Sequence, residues 1–237
     1  MAISTVLLAY KEAENLKMLL PKIKKELDTL PEEYEIIVVD TAQKTDNTDE
    51  VCAQFGAKYV NQRYDGFGGA FRTGIECAAF DKFLIMDSDG SHNPIYIPDI
   101  YRKMTEKVDL VIGSRYTKGG KTNDSVTSVV MSKCLNTVFR LIFGIKAKDI
   151  STDYRMYRTA QLKKVSLECK NYDVLQEVLI KLKKQKKSFC IAEVPITFNK
   201  RVYGESKRKL LPFIVSYLKT LFRLIPYRFS KDKGAGK

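Results

Sequence analysis

Cysteine is sparse and scattered in this 237-residue chain: five residues, at 52, 77, 134, 169 and 190, odd in number and without a Cys-x-x-Cys pair. That excludes a disulfide framework, gives no cysteine zinc site, and suits a reducing cytosol. Internal repeats are absent, and the one low-complexity segment is the Lys/Gly tail at 231–237, which is expected to be disordered. No basic run precedes the apolar residues of the N-terminus, so it reads as a first strand and not as a signal peptide. A bilayer span is also missing from the most hydrophobic long stretch, Leu210 to Phe229. Lys219, Arg223 and Arg228 interrupt it, and Pro212 and Pro226 punctuate it.

Positive charge is plentiful but unevenly placed. The net charge is +13, yet residues 1–177 hold 25 basic and 25 acidic side chains, while residues 178–237 hold 16 basic and 3 acidic. A neutral body with a basic end suits an anionic surface as partner, either acidic lipid headgroups or nucleic acid. Within 210–230 an amphipathic helix lying in the membrane interface is expected, with Phe213, Ile214, Tyr217, Leu218, Leu221 and Phe222 toward acyl chains and the basic residues toward headgroups. The same helix could instead dock on the protein's own core or on a second subunit.

The length suits one α/β domain with an appendage, here residues 1–209 followed by the helix at 210–230. Ile3 to Ala9 and Glu35 to Asp40 are apolar runs of strand length, separated by Leu16, Leu20, Ile23 and Leu27 at helical spacing. Strand, helix, strand at that spacing is a βαβ unit, so a mostly parallel central sheet is expected. Asn47 is placed to cap a second helix and Gly56 to end it. Lys58 to Gln62, Lys82 to Met86 and Val108 to Gly113 read as further strands, and 117–123 as a polar, mobile loop. Helices are expected over 125–143 and 173–187, with two short strands around Pro195. Glycines 66, 68 and 69 before a helix either admit a phosphate to backbone N–H groups or serve only the turn.

The chemistry concentrates where the strand from Lys82 ends, at Asp87-Ser88-Asp89-Gly90. Two carboxylates one residue apart at a strand end can both reach a hard divalent cation and leave its remaining sites to water and a diphosphate. Asp149-Ile-Ser-Thr-Asp153-Tyr-Arg155 has the polar density of a second site segment.

Glu12, Asp40, Asp87-x-Asp89, Gly113-Ser-Arg115 and Arg201-x-x-Gly204-x-Ser206-Lys207, in this order, resemble the family-2 glycosyltransferases. The nearest branch is that of dolichyl-phosphate mannose synthases and bacterial polyprenyl-phosphate glycosyltransferases. The resemblance implies a Rossmann-like, GT-A type nucleotide-diphospho-sugar transferase domain. It implies that Ala9, Tyr10 and Glu12 border the nucleoside, that Asp40 accepts from base or ribose, that Asp87 and Ser88 belong to the donor nucleotide site, and that Asp87 and Asp89 hold Mg²⁺ or Mn²⁺ against the donor diphosphate. It implies further that Arg115 and Ser132 bind an acceptor phosphate, with Arg201 and Lys207 closing over the departing diphosphate. Three departures from the family pattern stand out: Thr41 to Lys44 replaces the usual residues after Asp40, Ser128 stands where a basic residue is usual, and Asp153 replaces a Gly.

A sugar-hydroxyl acceptor needs a general base, whereas a lipid phosphate is already an anion and needs cationic positioning. The expectation is therefore an inverting, metal-dependent transfer of a hexose from GDP-mannose or a UDP-hexose to polyprenyl phosphate, with Asp89, Arg115, Arg201 and Lys207 carrying the chemistry. Should the acceptor be a hydroxyl of a cell-surface polysaccharide, Asp149 and Glu177 are the candidate bases, or else ion-pair partners of Arg155 or Arg158. A non-catalytic nucleic-acid-binding protein is the rival of another class. It leaves the acidic strand ends unexplained, and nucleic acid is not expected as a partner. The expected location is the cytoplasmic face of a membrane, peripherally bound, with a homodimer or membrane-protein partner as alternatives for the last helix.

Overall fold

The computed structural model describes residues 2–186, 188–203 and 210–229. Its centre is a seven-stranded sheet. In chain order the strands are β1 (Ile3–Leu8), β2 (Tyr34–Asp40), β3 (Lys58–Asn61), β4 (Lys82–Asp87), β5 (Leu110–Ser114), a short β6 (Lys121–Thr122) outside it, β7 (Arg155–Arg158) and β8 (Ile191–Pro195). Their spatial order is β3-β2-β1-β4-β7-β5-β8, parallel except for β7, which runs antiparallel to both neighbours. Burial explains the near-continuous apolar runs: Val6, Leu7, Ile37, Val38, Ile85 and Ile112 are fully enclosed between helices on the two faces.

One face is covered by α1 (Ala13–Leu27), α2 (Thr48–Phe55) and α4 (Ile97–Lys103). The other carries α3 (Gly66–Cys77), α5 (Val126–Phe143), α7 (Val174–Gln185) and α8 (Leu210–Phe229), with the single turn α6 (Thr159–Leu162) after β7. Parallel strands place their C-terminal ends together, so Leu8, Asp87 and Val39 lie side by side in register and the segments that follow them share one rim. In open α/β sheets that rim is where ligands bind.

Several local expectations change. The stretch 117–123 is not a plain loop, because β6 pairs in parallel with β9 (Thr197–Phe198). Asn47 precedes α2 without a side-chain cap, and Asp46 Oδ1 instead accepts from Thr48 N–H at 3.1 Å. Gly56 ends that helix in the left-handed conformation, as read. The glycines of α3 serve packing. A Cβ on Gly68 would lie 2.0 Å from the Cys169 carbonyl oxygen, and one on Gly66 2.3 Å from that of Lys170, while Gly68 N–H already donates to Lys170 O at 2.9 Å.

The last helix turns inward more than its amphipathic reading suggests. Tyr217, Thr220, Leu221 and Leu224 are buried in the core shared with α5 and α7, because they form one stripe at helical spacing. Ile214, Val215, Leu218, Phe222 and Phe229 remain exposed, so of the residues expected to face acyl chains Tyr217 and Leu221 do not; the Phe213 side chain lies outside the described residues. Helix α5 adds exposed Val126, Val130, Val138 and Leu141. Among the described residues it is the one helix long and apolar enough to cross a membrane, with 17% of it buried.

The contact of α3 with the 169–170 backbone is directly testable. Gly68→Ala should cost about 1–3 kcal/mol, the usual range for overpacking, read as a lowered urea midpoint. Wild-type stability in that variant would mean that the 169–170 loop yields freely.

Candidate functional site

Asp87 ends β4, and the chain turns at Gly90, whose φ of +81° favours glycine. The fully buried His92 fixes the carboxylate-bearing end of the strand: its Nδ1 accepts Asp87 N–H at 3.0 Å. The proton is therefore assigned to Nε2, which stands 3.3 Å from Thr152 Oγ1. The ring stacks on Tyr154 with centroids 4.9 Å apart and meets Phe198 at 5.2 Å. Burial depresses the imidazole's pKa despite the nearby Asp87 and Asp89, so the ring is held neutral. Ser91 organises both carboxylates, donating from Oγ to Asp87 Oδ2 at 3.1 Å and from N–H to Asp89 Oδ1 at 2.9 Å. Ser88 Oγ ties this turn to Leu8 O at the end of β1.

Ligand atoms of Asp87, His92 and Asp153 all lie within 4.8 Å of one another. His92 Nδ1 is engaged by a backbone donor, so the groups with the chemistry to hold a cation are the carboxylates of Asp87, Asp89 and the buried Asp153. Burial and then the charge of Asp87 push the Asp153 carboxyl well above its usual range. Crowded carboxyl groups of this kind fit a hard divalent cation such as Mg²⁺ or Mn²⁺, whose charge would relieve the repulsion.

On the donor side, Glu12 is buried and accepts from Asn15 Nδ2 at 2.6 Å and from Arg201 at 2.8 Å. Arg201 also reaches Asp89 Oδ2 at 3.1 Å, so candidates far apart in sequence meet. Asp46 Oδ2 accepts the N–H of Ala13 at the start of α1. Tyr10 is exposed and Ala9 is buried beside it. Asp40 is closed to solvent: its oxygens accept from Thr41 N–H at 2.8 Å and Tyr59 OH at 3.1 Å, and burial raises its pKa against those two donors. The expected contact between Asp40 and a base or ribose is thus not open in this conformation. Lys207, with Gly204 and Ser206, lies outside the described residues.

A second cluster forms at the end of β5. Asp149 grips Arg115 through Nε at 2.7 Å and Nη2 at 2.9 Å, and accepts its backbone N–H at 3.1 Å. The same guanidinium donates to Ser151 Oγ at 2.7 Å and to Ser132 Oγ at 3.2 Å, and Tyr116 OH donates to Ser132 at 3.0 Å. Arg115 and Ser132 are thus brought together as expected.

Neither candidate base is placed for that role. Asp149 is fully buried and its oxygens also receive Ser151 and Asn136. Burial alone would raise its pKa, but the Arg115 hydrogen bonds and charge win and hold it below the usual carboxylate range. Its partner is Arg115, not Arg155, which donates to the carbonyls of Ile150, Thr152 and Leu175. Arg158 donates to the carbonyls of Val108 and Thr105. Glu177 is enclosed in α7, accepting from the N–H groups of Glu168 and Cys169 and from Lys181 and Arg223, where it ties α7 to α8. Sequence reasoning missed Ser91, Tyr116, Ser151 and the place of Asp153, although the last two stand in the polar run that it singled out.

The family model for glycosyl transferase family 2 matches residues 4–166. A dolichol-phosphate mannosyltransferase of Pyrococcus furiosus is 33% identical over 242 residues, covering 98% of this chain and 66% of that protein, so the chain spans just under two thirds of that relative's length. An undecaprenyl-phosphate mannosyltransferase of Micrococcus luteus is 34% identical over 220 residues, 87% of either chain. Among solved structures, glucosyl-3-phosphoglycerate synthase of Mycobacterium tuberculosis with Mn²⁺ and UDP has a TM-score of 0.71 at 19% identity, covering 100% of this chain and 83% of that one. The same enzyme with Mg²⁺ and UDP gives 0.72 at 19%, covering 100% and 82%. At that identity the likeness shows the fold, which is of the GT-A type.

The Arg115–Asp149 pair carries a stability prediction. Asp149→Asn leaves a buried guanidinium unpaired and should cost about 3–5 kcal/mol in urea denaturation. The folded pKa of Asp149 lies below the unfolded value of about 3.9, so its contribution is complete above that pH and fades as pH falls toward the folded value. The variant should therefore lose less stability than wild type on acidification below about pH 4; equal acid slopes would contradict the assignment.

Proposed function

The chain belongs to glycosyl transferase family 2, and from that premise we propose that it transfers a hexose, with mannose favoured, from a nucleoside-diphosphate sugar to a polyprenyl phosphate. The observation that carries this reading is the Arg115 cluster. It gathers a guanidinium and the hydroxyls of Ser132, Ser151 and Tyr116 around one point, while Asp149 is wholly engaged. Such a cradle suits an anion. A hydroxyl acceptor would find no free base there, and a phosphate needs none. The names of the two mannosyltransferase relatives agree with a lipid-phosphate acceptor.

In the proposed reaction an oxygen of the acceptor phosphate attacks the anomeric carbon as the bond to the donor diphosphate breaks. The electron pair leaves on the diphosphate oxygen, and a single displacement inverts the configuration. Asp87 and Asp89 would hold the divalent cation, with Asp153 beside them, and the cation would offset the charge that grows on the leaving group. Arg115, Ser132 and Ser151 orient the acceptor, and Arg201 faces the diphosphate side from its place between Glu12 and Asp89. His92 keeps Asp87 in position without charging. The exposed apolar residues of α5 and α8, together with the basic surplus of the last quarter, suit peripheral attachment to the anionic cytoplasmic face of a membrane.

A thermal-shift panel of GDP, UDP, GDP-mannose and UDP-glucose, each with and without Mn²⁺, tests the donor half. One nucleotide should stabilise wild type only with metal, by about 2.7 kcal/mol at a hundredfold excess over Kd, and Asp89→Ala should abolish the effect. A flat panel under every metal condition overturns the transferase reading. For the acceptor half, Ser132→Ala should lower kcat/KM with polyprenyl phosphate at least about tenfold, the worth of a hydrogen bond to a charged group. An undiminished rate would remove the cradle from the mechanism.

A further inference from the structure

The segment 198–203 is fastened across the Asp87–His92 turn. Phe198 forms an isolated antiparallel bridge with His92, and Asn199 N–H donates to Ser91 O at 2.9 Å. Val202 N–H donates to Asp89 O at 3.1 Å, and its side chain closes on Gly90, where a Cβ would stand 2.8 Å from Val202 Cγ2. Tyr203 exchanges two hydrogen bonds with the Asn15 side chain at 3.1 and 3.3 Å. Between these anchors Arg201 places one guanidinium nitrogen on Glu12 Oε1 at 2.8 Å and the other on Asp89 Oδ2 at 3.1 Å. The opposite oxygen of Asp89 accepts Ser91 N–H. Both oxygens of Asp89 are therefore engaged, and the one not held by the backbone is held by a cation of the chain itself.

We propose that Arg201 is the resident counter-cation of Asp89 while the donor is absent, so that a divalent cation and the guanidinium of this strap compete for one carboxylate oxygen. The inference rests on the reading that Asp87 and Asp89 hold a divalent cation. A dication held by the Asp89 carboxylate would draw on the same negative charge as the guanidinium and would repel the guanidinium at short range. Arg201 then keeps Glu12 as its pivot, and the nitrogen freed from Asp89 becomes available to the donor's diphosphate. Coupling of this kind is reciprocal: the strap weakens the cation's hold by the same factor by which the cation loosens the strap. It delays tight metal binding until an anion arrives to receive Arg201, and it prevents the carboxyl cluster from standing without a counter-charge.

Mn²⁺ binding by the full chain without nucleotide, followed by electron paramagnetic resonance of the free ion, tests this apart from activity. Arg201→Ala should bind Mn²⁺ about five- to tenfold more tightly than wild type, toward the low end of usual coupling factors, and Arg201→Lys should fall between them. The chain has no tryptophan, so Tyr203→Trp in an otherwise wild-type background gives a single fluorescent reporter on the strap. Its emission should change with Mn²⁺ at the midpoint seen by resonance. An Arg201→Ala affinity equal to or below that of wild type, or a reporter silent while Mn²⁺ binds, overturns the inference and leaves the metal site standing. Mn²⁺ uptake unaffected by Asp89→Asn overturns both.

Discussion

Four carboxyl groups, those of Glu12, Asp87, Asp89 and Asp153, meet on the rim where β1 and β4 end, and their mutual repulsion constrains the rest of the site. Two unit charges 4 Å apart interact by about 4 kcal/mol at an effective dielectric of 20, so carboxylates brought this close call for a counter-charge. Arg201 supplies one, and the raised pKa of Asp153 absorbs another part of the excess. His92 adds no charge, because burial between Tyr154 and Phe198 keeps it neutral, and it contributes a fixed acceptor to the Asp87 backbone. The Arg115 cluster follows the opposite rule. Its guanidinium and Asp149 match in charge and geometry, so that end of the rim is settled before any ligand arrives.

Topology makes both clusters possible. Strand β7 enters antiparallel between β4 and β5, pairing Arg155 with Ile85 on one flank and Ile112 on the other. The residues just before it, 149–153, must therefore cross the ends of those two parallel strands, and they deliver Asp149 to Arg115 and Asp153 to Asp87. Arg155 holds the crossing in place. It is fully buried without a carboxylate and spends its donors on the carbonyls of Ile150, Thr152 and Leu175 and on Tyr157 OH. A wholly parallel sheet would have no such segment at this position.

What could be read in the sequence follows the range of each interaction. The αβ alternation, the strand ending at Asp87 and the Asp87-x-Asp89 pair are local patterns, and they stand where they were expected. Arg115 lies beside Ser132 and Arg201 beside Asp89, as the family motifs suggest, although 189 positions separate Arg201 from Glu12. For Asp149 and Glu177 the sequence leaves two roles open, a base for a hydroxyl acceptor or an ion-pair partner, because reactivity depends on partners that spacing does not reveal. Asp149 meets Arg115 across 34 residues, and Glu177 is consumed by the 168–169 backbone and Lys181. Glycines 66 and 68 show the same limit, since their cause is the 169–170 backbone about a hundred residues away in sequence, whereas Gly69 is required by the local Tyr64 carbonyl.

Helix α5 joins the proposed chemistry to the surface on which it would occur. Ser132 lies on this helix, hydrogen-bonded into the Arg115 cluster, and Val126 and Val130 on the preceding turns are exposed. Helix α8 buries Tyr217, Leu221 and Leu224 against the same core and leaves Ile214, Leu218 and Phe222 outside. A lipid phosphate must present its headgroup at a fixed depth while its chain stays in an apolar phase. On the proposed reading, one helix carries both a hydroxyl for the headgroup and exposed valines for the apolar phase, so the two requirements meet on a single rigid element.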